Sequence, residues 1–323
     1  MFDNQGLPLT SQNPVAAVAF NTAMTELLDY RLSAMPTLKG ALEVEPDFFM
    51  AHVLRGYMLL MMNTAKMIPT ARNAYAAAKA HVGGVTEREK MHLEALRCYA
   101  YGDWSGASAR LASICSRFPL DIIALRVHHA VSFWMGRSQQ LFTVPSAVLN
   151  DWKEDIPNYG NVLGMLCFGL EENGHYAKAE GYGRKAVELN PDDLWSVHSV
   201  AHVLEMTQRH KEGLKWLDYP ADVWDDRNPF RGHLWWHRGL YLLELRQLDE
   251  AVALYDSVIF DTQSSFFLDL QNAAAFLIRL ELLGVDVGDR WDALAGPAQG
   301  GIGDHELAFT DIHNVLALAR AGR

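Results

Sequence analysis

The sequence predicts an all-α fold assembled from repeated helix pairs. Three observations lead there. Apolar residues recur at spacings of three and four along nearly the whole chain, with no convincing run of strand alternation. Short Gly and Pro breaks punctuate that pattern at Pro119, Gly136, Asn173-Gly174, Asn190-Pro191 and Gly284. Between the breaks, one set of core positions repeats with a period of about 34 residues, the tetratricopeptide spacing. The chain is therefore expected to form a tetratricopeptide-repeat right-handed superhelix with a C-terminal helical cap.

The repeat register can be followed pair by pair. A unit begun at Gly160 places Leu163, Leu166, Cys167 and Leu170 on the core positions of its first helix. Ala179 and Ala186 take the small positions of its second helix, and Pro191 closes it. A unit from Arg88 places Met91, Ala95, Cys98, Ala107, Ile114 and Pro119 in the same way. Units from Leu194 and Gly232 place Val197, Ala201 and Leu204, then Trp235, Gly239, Leu242, Ala251 and Tyr255. A weaker unit starts near Phe49, with His52, Gly56 and Leu59. One from Ile122 is degenerate and keeps mainly the Gly136 turn. Residues 1–45 read as a lead-in with capping helices, 46–263 as the repeats, and 264–323 as the cap. Within the cap, an apolar helix over 264–283 is stopped by Gly284, and 296–303 reads as a loop. Asp304 is the expected N-cap of a last helix, whose stripe of His305, Phe309, Ile312, His313 and Leu316 should face the protein body.

Composition bounds the function. Half of the 323 residues are hydrophobic, 21% are charged and the formal net charge is −11. An acidic chain argues against nucleic acid or an anionic membrane as partner. No apolar run approaches the roughly 20 residues that cross a bilayer. The start carries no basic, apolar leader, so a cytoplasmic location is expected. Cys98, Cys115 and Cys167 are widely spaced among apolar residues and read as buried free thiols. A homo-oligomer is compatible with this composition.

Two HxxxH pairs carry the candidate chemistry. His198 and His202 lie in WSVHSVAHVLEM; His233 and His237 lie in RGHLWWHRGLYLLE. A spacing of four puts each pair on one side of a helix, one turn apart. In the repeat register His198, His202 and Glu205 fall on groove-lining positions, as does His92 in its own unit. His233 and Trp236 fall there too, with His237 at the groove edge. Parallel first helices pack about 8–10 Å apart, so these side chains could share one enclosed space. Trp195, Trp235, Trp236 and Tyr241 could wall it from water.

Three chemistries fit such a set. Neutral imidazoles oriented by a carboxylate can transfer protons. Imidazole and carboxylate donors can hold Zn or Fe, with His198, His202 and His237 as ligands. Buried histidines can also serve only as hydrogen-bonded core residues; His128, His129 and His52, on core or core-edge positions, read that way. His81, His175 and His210 lie in or near turns and read as solvated. Asp256, Asp261 and Asp269 could face the groove mouth, with helix capping the simpler role for Asp269. The run Trp224-Asp225-Asp226-Arg227 suits a loop. GxGD at 301–304 is too little for a nucleotide site, and no nucleophile elbow is present.

The residues also carry a family resemblance over nearly the whole length. The chain resembles the tetratricopeptide repeat protein 38 family in LPLTS (7–11), TEREKMH (86–92), DIIALRVHHA (121–130) and DLWSVHSVAHVLEM (193–206). It does so again in LWWHRGLYLLE (234–244), LDEAVALYD (248–256), GVDVGDRW (284–291) and DHELAFTDIH (304–313). The resemblance puts that family's hallmark histidines on His52, His92, His129, His198, His202, His237, His305 and His313. It implies the repeat fold and a site rather than a plain scaffold, and leaves the reaction open. The family is also related to a protein of unassigned role in glycopeptide-antibiotic gene clusters, for which an oxidative function has been guessed.

The expectation is thus a small molecule held in an enclosed, histidine-lined groove. His198, His202, Glu205 and His237 would be catalytic. His92, His129, Trp195, His233, Trp236, Tyr241, His305 and His313 would bind the substrate. Hydrolysis of an amide or related bond is the leading reaction, and metal-dependent oxidation the next. An interaction scaffold that binds a peptide or partner protein is the non-enzymatic alternative.

Overall fold

A computed structural model of the chain describes residues 1–228, 230–260, 264 and 266–323. Among these residues the regular structure is helical, with an isolated antiparallel bridge between Phe2 and Pro8 and no strand. The all-α tetratricopeptide-repeat class expected from the sequence is the class observed. Helix pairs follow one another in chain order, the two helices of a pair joined by a tight turn and packed together.

The chain divides into two compact units. Unit 1 comprises residues 1–62 and 66–200; unit 2 comprises residues 63–65 and 201–323. Unit 1 begins with α1 (Pro14–Leu28) and α2 (Ala34–Val44), then α3 (Phe49–Leu60) and α4 (Ile68–Ala80). It continues with α5 (Glu87–Ala100) and α6 (Trp104–Arg117), α7 (Ile122–Trp134) and α8 (Ser138–Val148), and α9 (Tyr159–Glu171) and α10 (Tyr176–Leu189). Helix α11 (Leu194–Met206) runs on through the division, with residues 194–200 in unit 1 and 201–206 in unit 2. Unit 2 then holds α12 (His210–Trp216), α13 (Phe230–Glu244), α14 (Leu248–Leu254) and a single π-helical turn, Tyr255–Ile259. It ends with α15 (Phe267–Leu282), α16 (Arg290–Gln299) and α17 (Ala308–Arg320).

Local chemistry starts these helices. Thr86 and Glu89 form a reciprocal capping box on α5: Glu89 N–H donates to Thr86 Oγ1 at 3.2 Å and Thr86 N–H to Glu89 Oε2 at 2.8 Å. Asp103 and Asp121 cap α6 and α7 by accepting from the Gly106 and Ala124 amides. The turn inside each pair needs one left-handed residue. Gly102, Gly136 and Gly174 supply it in three successive pairs. Gln208 and Arg246 hold the same conformation in the α11–α12 and α13–α14 turns, at φ 58° and 61°.

The apolar faces bury as the register requires. Leu163, Leu166, Cys167 and Leu170 are all buried on α9, and Ala179 and Ala186 on α10. Each fully buried Leu contributes about 1.5–3 kcal/mol. Gly239 lets α13 and α15 approach: a Cβ there would stand 2.5 Å from the Phe276 ring. The pair at Ile122, degenerate in sequence, is nonetheless a complete helix pair. All three cysteines are buried and free.

The cap departs from expectation in three respects. Gly296 and Pro297, read as loop, lie inside α16. The helix continues past the proline because Leu294, Ala295 and Ala298 are buried there, which offsets the one lost hydrogen bond. Asp304 does not cap the last helix, which starts at Ala308 after Leu307. Its carboxylate instead accepts from Thr64 Oγ1 at 2.6 Å and from the Ala65 amide at 2.9 Å. Helix α17 also turns the other way round. Phe309 and Ile312 are 54% and 66% exposed, while Asn314 and Ala317 are buried. No helix among the described residues is long and apolar enough to cross a membrane.

Candidate functional site

Three histidines of unit 2 converge. His233 and His237 sit one turn apart on α13, and His202 comes from the part of α11 that belongs to unit 2. The Nε2 atoms of His233 and His237 are 3.2 Å apart, and their rings meet edge-on with centroids at 4.7 Å. The His202 ring lies 4.6 Å from that of His237. One ring nitrogen from each of the three lies within 4.8 Å of the other two.

The tautomer of His233 follows from its partner. Its Nδ1 is 2.9 Å from Asn272 Oδ1 on α15. A carboxamide oxygen only accepts, so Nδ1–H donates and the neutral ring keeps its lone pair on Nε2. That lone pair is aimed at His237. Burial pushes the His233 pKa down to about 4, His202 adds to the fall, and the Asn272 bond opposes it. Burial, with His202 and His233 adding to it, holds His237 well below the usual histidine range. Both rings are thus neutral bases at pH 7, as metal ligands must be.

Aromatic rings enclose His233. Trp236 stacks on it at 5.2 Å and 12°, and Phe230 lies 5.6 Å away. The Arg279 guanidinium of α15 lies over the Trp236 ring, 5.6 Å from its centroid. Glu205, one turn beyond His202, is half-buried, and its Oε2 is buried with no hydrogen-bond partner. Burial raises its carboxyl pKa, and His210 lowers it. A carboxyl moved toward neutrality beside imidazoles is suited to proton transfer.

His198, one turn before His202 on α11, is in unit 1, where its ring stacks on Phe168 at 5.7 Å and meets Trp195 at 5.1 Å. His129 is buried against Phe168 and Trp195. His92 is fully buried in a separate network. Its Nε2 and Arg88 Nη1 both lie 2.9 Å from Asp121 Oδ2, and Tyr57 Oη donates to the His92 carbonyl at 3.0 Å. Burial would raise the Asp121 carboxyl, yet His92 and Arg88 together hold it well below the usual range.

Tyr241 is fully buried, its hydroxyl donating to the Ala201 carbonyl at 2.6 Å. It props α13 against α11, and its ring faces Gly213. The His305 side chain is 74% exposed, its Nδ1 3.1 Å from Asp311 Oδ2. His313 is half-buried and donates from Nδ1 to the Phe309 carbonyl at 2.7 Å. Asp256 pairs with Arg290 at 2.6 Å, and Asp269 accepts from Ser264 Oγ at 2.6 Å. Asp261 lies outside the described residues.

Asn272 and Arg279 are site residues that the histidine spacing does not point to. Their helical spacing from Asp269 is the one signal for them in α15, a helix that also carries Gln271 and Glu281. Two cavities, of about 370 and 320 Å³, both lie in unit 1, lined around Glu45 and His81 and around Cys115 and Asp151. None of the expected site residues lines either one. The convergence of donor atoms, not cavity size, therefore marks the candidate site.

No protein-family model matches the chain. Among solved structures it is similar to one described as the crystal structure of the P58(IPK) TPR domain at 2.5 Å. The two share 13% identity, over 95% of this chain and 88% of that one, with a TM-score of 0.26. A score that low carries no argument, so the repeat architecture rests on the helix pairs themselves.

Proposed function

We propose that His202, His233 and His237 hold a divalent metal ion, zinc first, and that the chain is an enzyme hydrolysing an amide or related bond of a small molecule there. One observation carries the reading: the Nε2 atoms of His233 and His237 stand 3.2 Å apart, and Asn272 keeps the His233 lone pair on its Nε2. Tetrahedral zinc with Zn–N bonds of about 2.0–2.1 Å separates its nitrogen ligands by about 3.3–3.4 Å. The Asn272 bond is the kind of outer contact that orients a metal-binding imidazole. Three histidines leave one coordination position for substrate or water.

A bound zinc supplies a Lewis acid that polarises the scissile carbonyl. Glu205 takes a proton from the attacking water as the new C–O bond forms. It returns that proton to the nitrogen as the C–N bond breaks, so acid and amine leave with atoms balanced. Trp236 and Phe230 exclude water from one side of the site. His198 remains a candidate catalytic residue by its place one turn before His202. Membership in the tetratricopeptide repeat protein 38 family is supported by WSVHSVAHVLEM and WHRGLYLLE.

Metal analysis of protein purified without added metal tests this. About one zinc per chain is expected, lost in the His233→Ala and His237→Ala variants. Less than about 0.1 metal per chain, with none recovered on dialysis against zinc, removes the metal. Iron instead of zinc favours oxidation. The exposed Phe309, Ile312 and Val315 of α17 favour a second reading, a scaffold that docks a partner protein. Small-molecule turnover that survives substitution of all three by Ser would set that reading apart from the enzyme.

A further inference from the structure

Helix α17 of unit 2 turns an apolar stripe away from the protein. Its inward face is Thr310, Asn314 and Ala317: Gln271 of α15 donates to Thr310 Oγ1 at 2.7 Å, and Asn314 and Ala317 are buried. Ala308, Ile312, Val315 and Ala319 are all exposed. At 100° per residue, the centre of these four lies about 160° round the helix from the inward three. A surface helix ordinarily carries polar and charged residues there. Here Ile312 and Val315 stand 66% and 64% exposed, with Phe309 beside them.

Spacing and size select a partner for this stripe. It runs small, large, large, small at intervals of four, three and four, so it is the same pattern read backward. Laid antiparallel on a copy of itself about a two-fold axis, Ala308 meets Ala319 and Ile312 meets Val315, in both directions. Such self-complementarity is what a two-fold contact requires, and the four-three-four interval is that of a coiled-coil seam. Alanine at each end lets the two helices approach closely.

Charge agrees with the same register. Glu306 precedes the helix and Arg320 lies in its last turn, about equally far either side of the midpoint between Ile312 and Val315. Antiparallel pairing therefore sets Glu306 of one copy beside Arg320 of the other, twice. Partial burial raises the Glu306 carboxyl pKa, Asp304 adds to the rise, and no described cation pairs with Glu306. Arg320 donates from Nη2 to Glu281 and is still 48% exposed, so its remaining N–H groups can take a second carboxylate.

We propose that two copies of this chain pair through α17, antiparallel and two-fold symmetric, along Ala308, Ile312, Val315 and Ala319. The pairing rests on the docking reading of this face and names its partner; it does not involve the histidine trio. One short helix pair buries less than the roughly 800 Å² per partner of a standard interface, so the dimer is weak and forms in the micromolar range.

Sedimentation velocity of the full chain, from micromolar to near-millimolar concentration, tests it. A reversible monomer–dimer equilibrium is expected. Ile312→Glu, at a position exposed in the monomer, should weaken it at least about tenfold by forcing a charge into an apolar seam. Glu306→Arg and Arg320→Glu should each weaken self-association, and an equimolar mixture of the two should restore it, because opposite charges then face each other at both ends. Thermal melts of each variant check that the fold is kept. A monomer at every concentration, or a dimer indifferent to Ile312→Glu, overturns the proposal. A mixture no better than either variant alone overturns the antiparallel register. A monomeric chain would still leave docking of a foreign protein, and the enzyme, to their own tests.

Discussion

The Nε2 atoms of His233 and His237 face each other across 3.2 Å, and Asn272 holds the His233 proton on the opposite nitrogen. Without a third body, only a proton from His237 can fill that gap. Asn272→Leu removes the outer acceptor and frees the His233 ring to turn. Zinc affinity should fall about 10–100-fold, read by competition with a chelating dye. Unchanged affinity would mean that Asn272 has no part in orienting the ring.

Acid should weaken the fold through its neutral histidines. Burial pushes His128 and His233 down to about 4, and holds His129 and His237 well below the usual range. The unfolded chain takes up these protons near pH 6.5, while the folded chain refuses them. Their contribution is therefore complete above about pH 6.5 and is lost as pH falls toward 4. Asp3 and Asp193, raised by burial to about 6, act in the opposite sense over the lower part of that range. His52 and His313 are lowered as well, and Asp29, Glu205 and Glu306 raised, so six histidines stand against five carboxyls. With His129 and His237 the most strongly shifted, the melting temperature should drop between pH 6.5 and 4. His128→Gln should flatten the slope; melts that are level across the window would contradict these assignments.

The left-handed turn residues of unit 2 are open to improvement. Arg246 sits at φ 61° where the earlier pairs carry glycine. Arg246→Gly should raise stability by about 0.5–1 kcal/mol, the relieved backbone strain exceeding the extra freedom of the unfolded glycine. Urea denaturation reads the change, and a loss of stability would show that the Arg246 side chain matters more than its backbone.

Asp121 is the acceptor that both Arg88 and His92 share. Asp121→Asn leaves a guanidinium that is 2% exposed with much less compensation. Stranding one buried charge outright costs about 3–5 kcal/mol, and because Asp3 remains 3.4 Å from Arg88 the expected loss lies at or below the low end of that range. Adding Arg88→Met should recover part of it, and a double-mutant cycle would expose any additive behaviour.

Much of the fold is legible in the sequence because a helix pair advertises itself twice, by period and by its turn residue. Even the weak pair at Ile122 is whole, held by the same Gly136 turn. The last helix departs from its expected face for a physical reason. Phe309 and Ile312 form an apolar stripe, yet the small Ala317 and the polar Asn314 are what pack inward. At the site, helical spacing brought out His233 and His237 as a pair. It could not reveal that Asn272, about forty residues on, sets the His233 tautomer, because hydrogen bonds between helices leave no periodic trace. The register alone puts His92 in the groove, whereas its partner Asp121 stands at the start of another helix, α7, and leaves no trace in the spacing of α5.

Residues 63–65 belong to unit 2, although the chain on either side of them belongs to unit 1. Asp304 accepts from Thr64 across 240 positions of sequence and from Ala65 across 239. Closing so long a loop is entropically slow, so this clasp should be among the last links made as the polypeptide folds. A fragment cut to begin at Ala201 would leave the Asp304 carboxylate without both donors, and adding a short peptide spanning 60–68 should restore part of what the truncation loses.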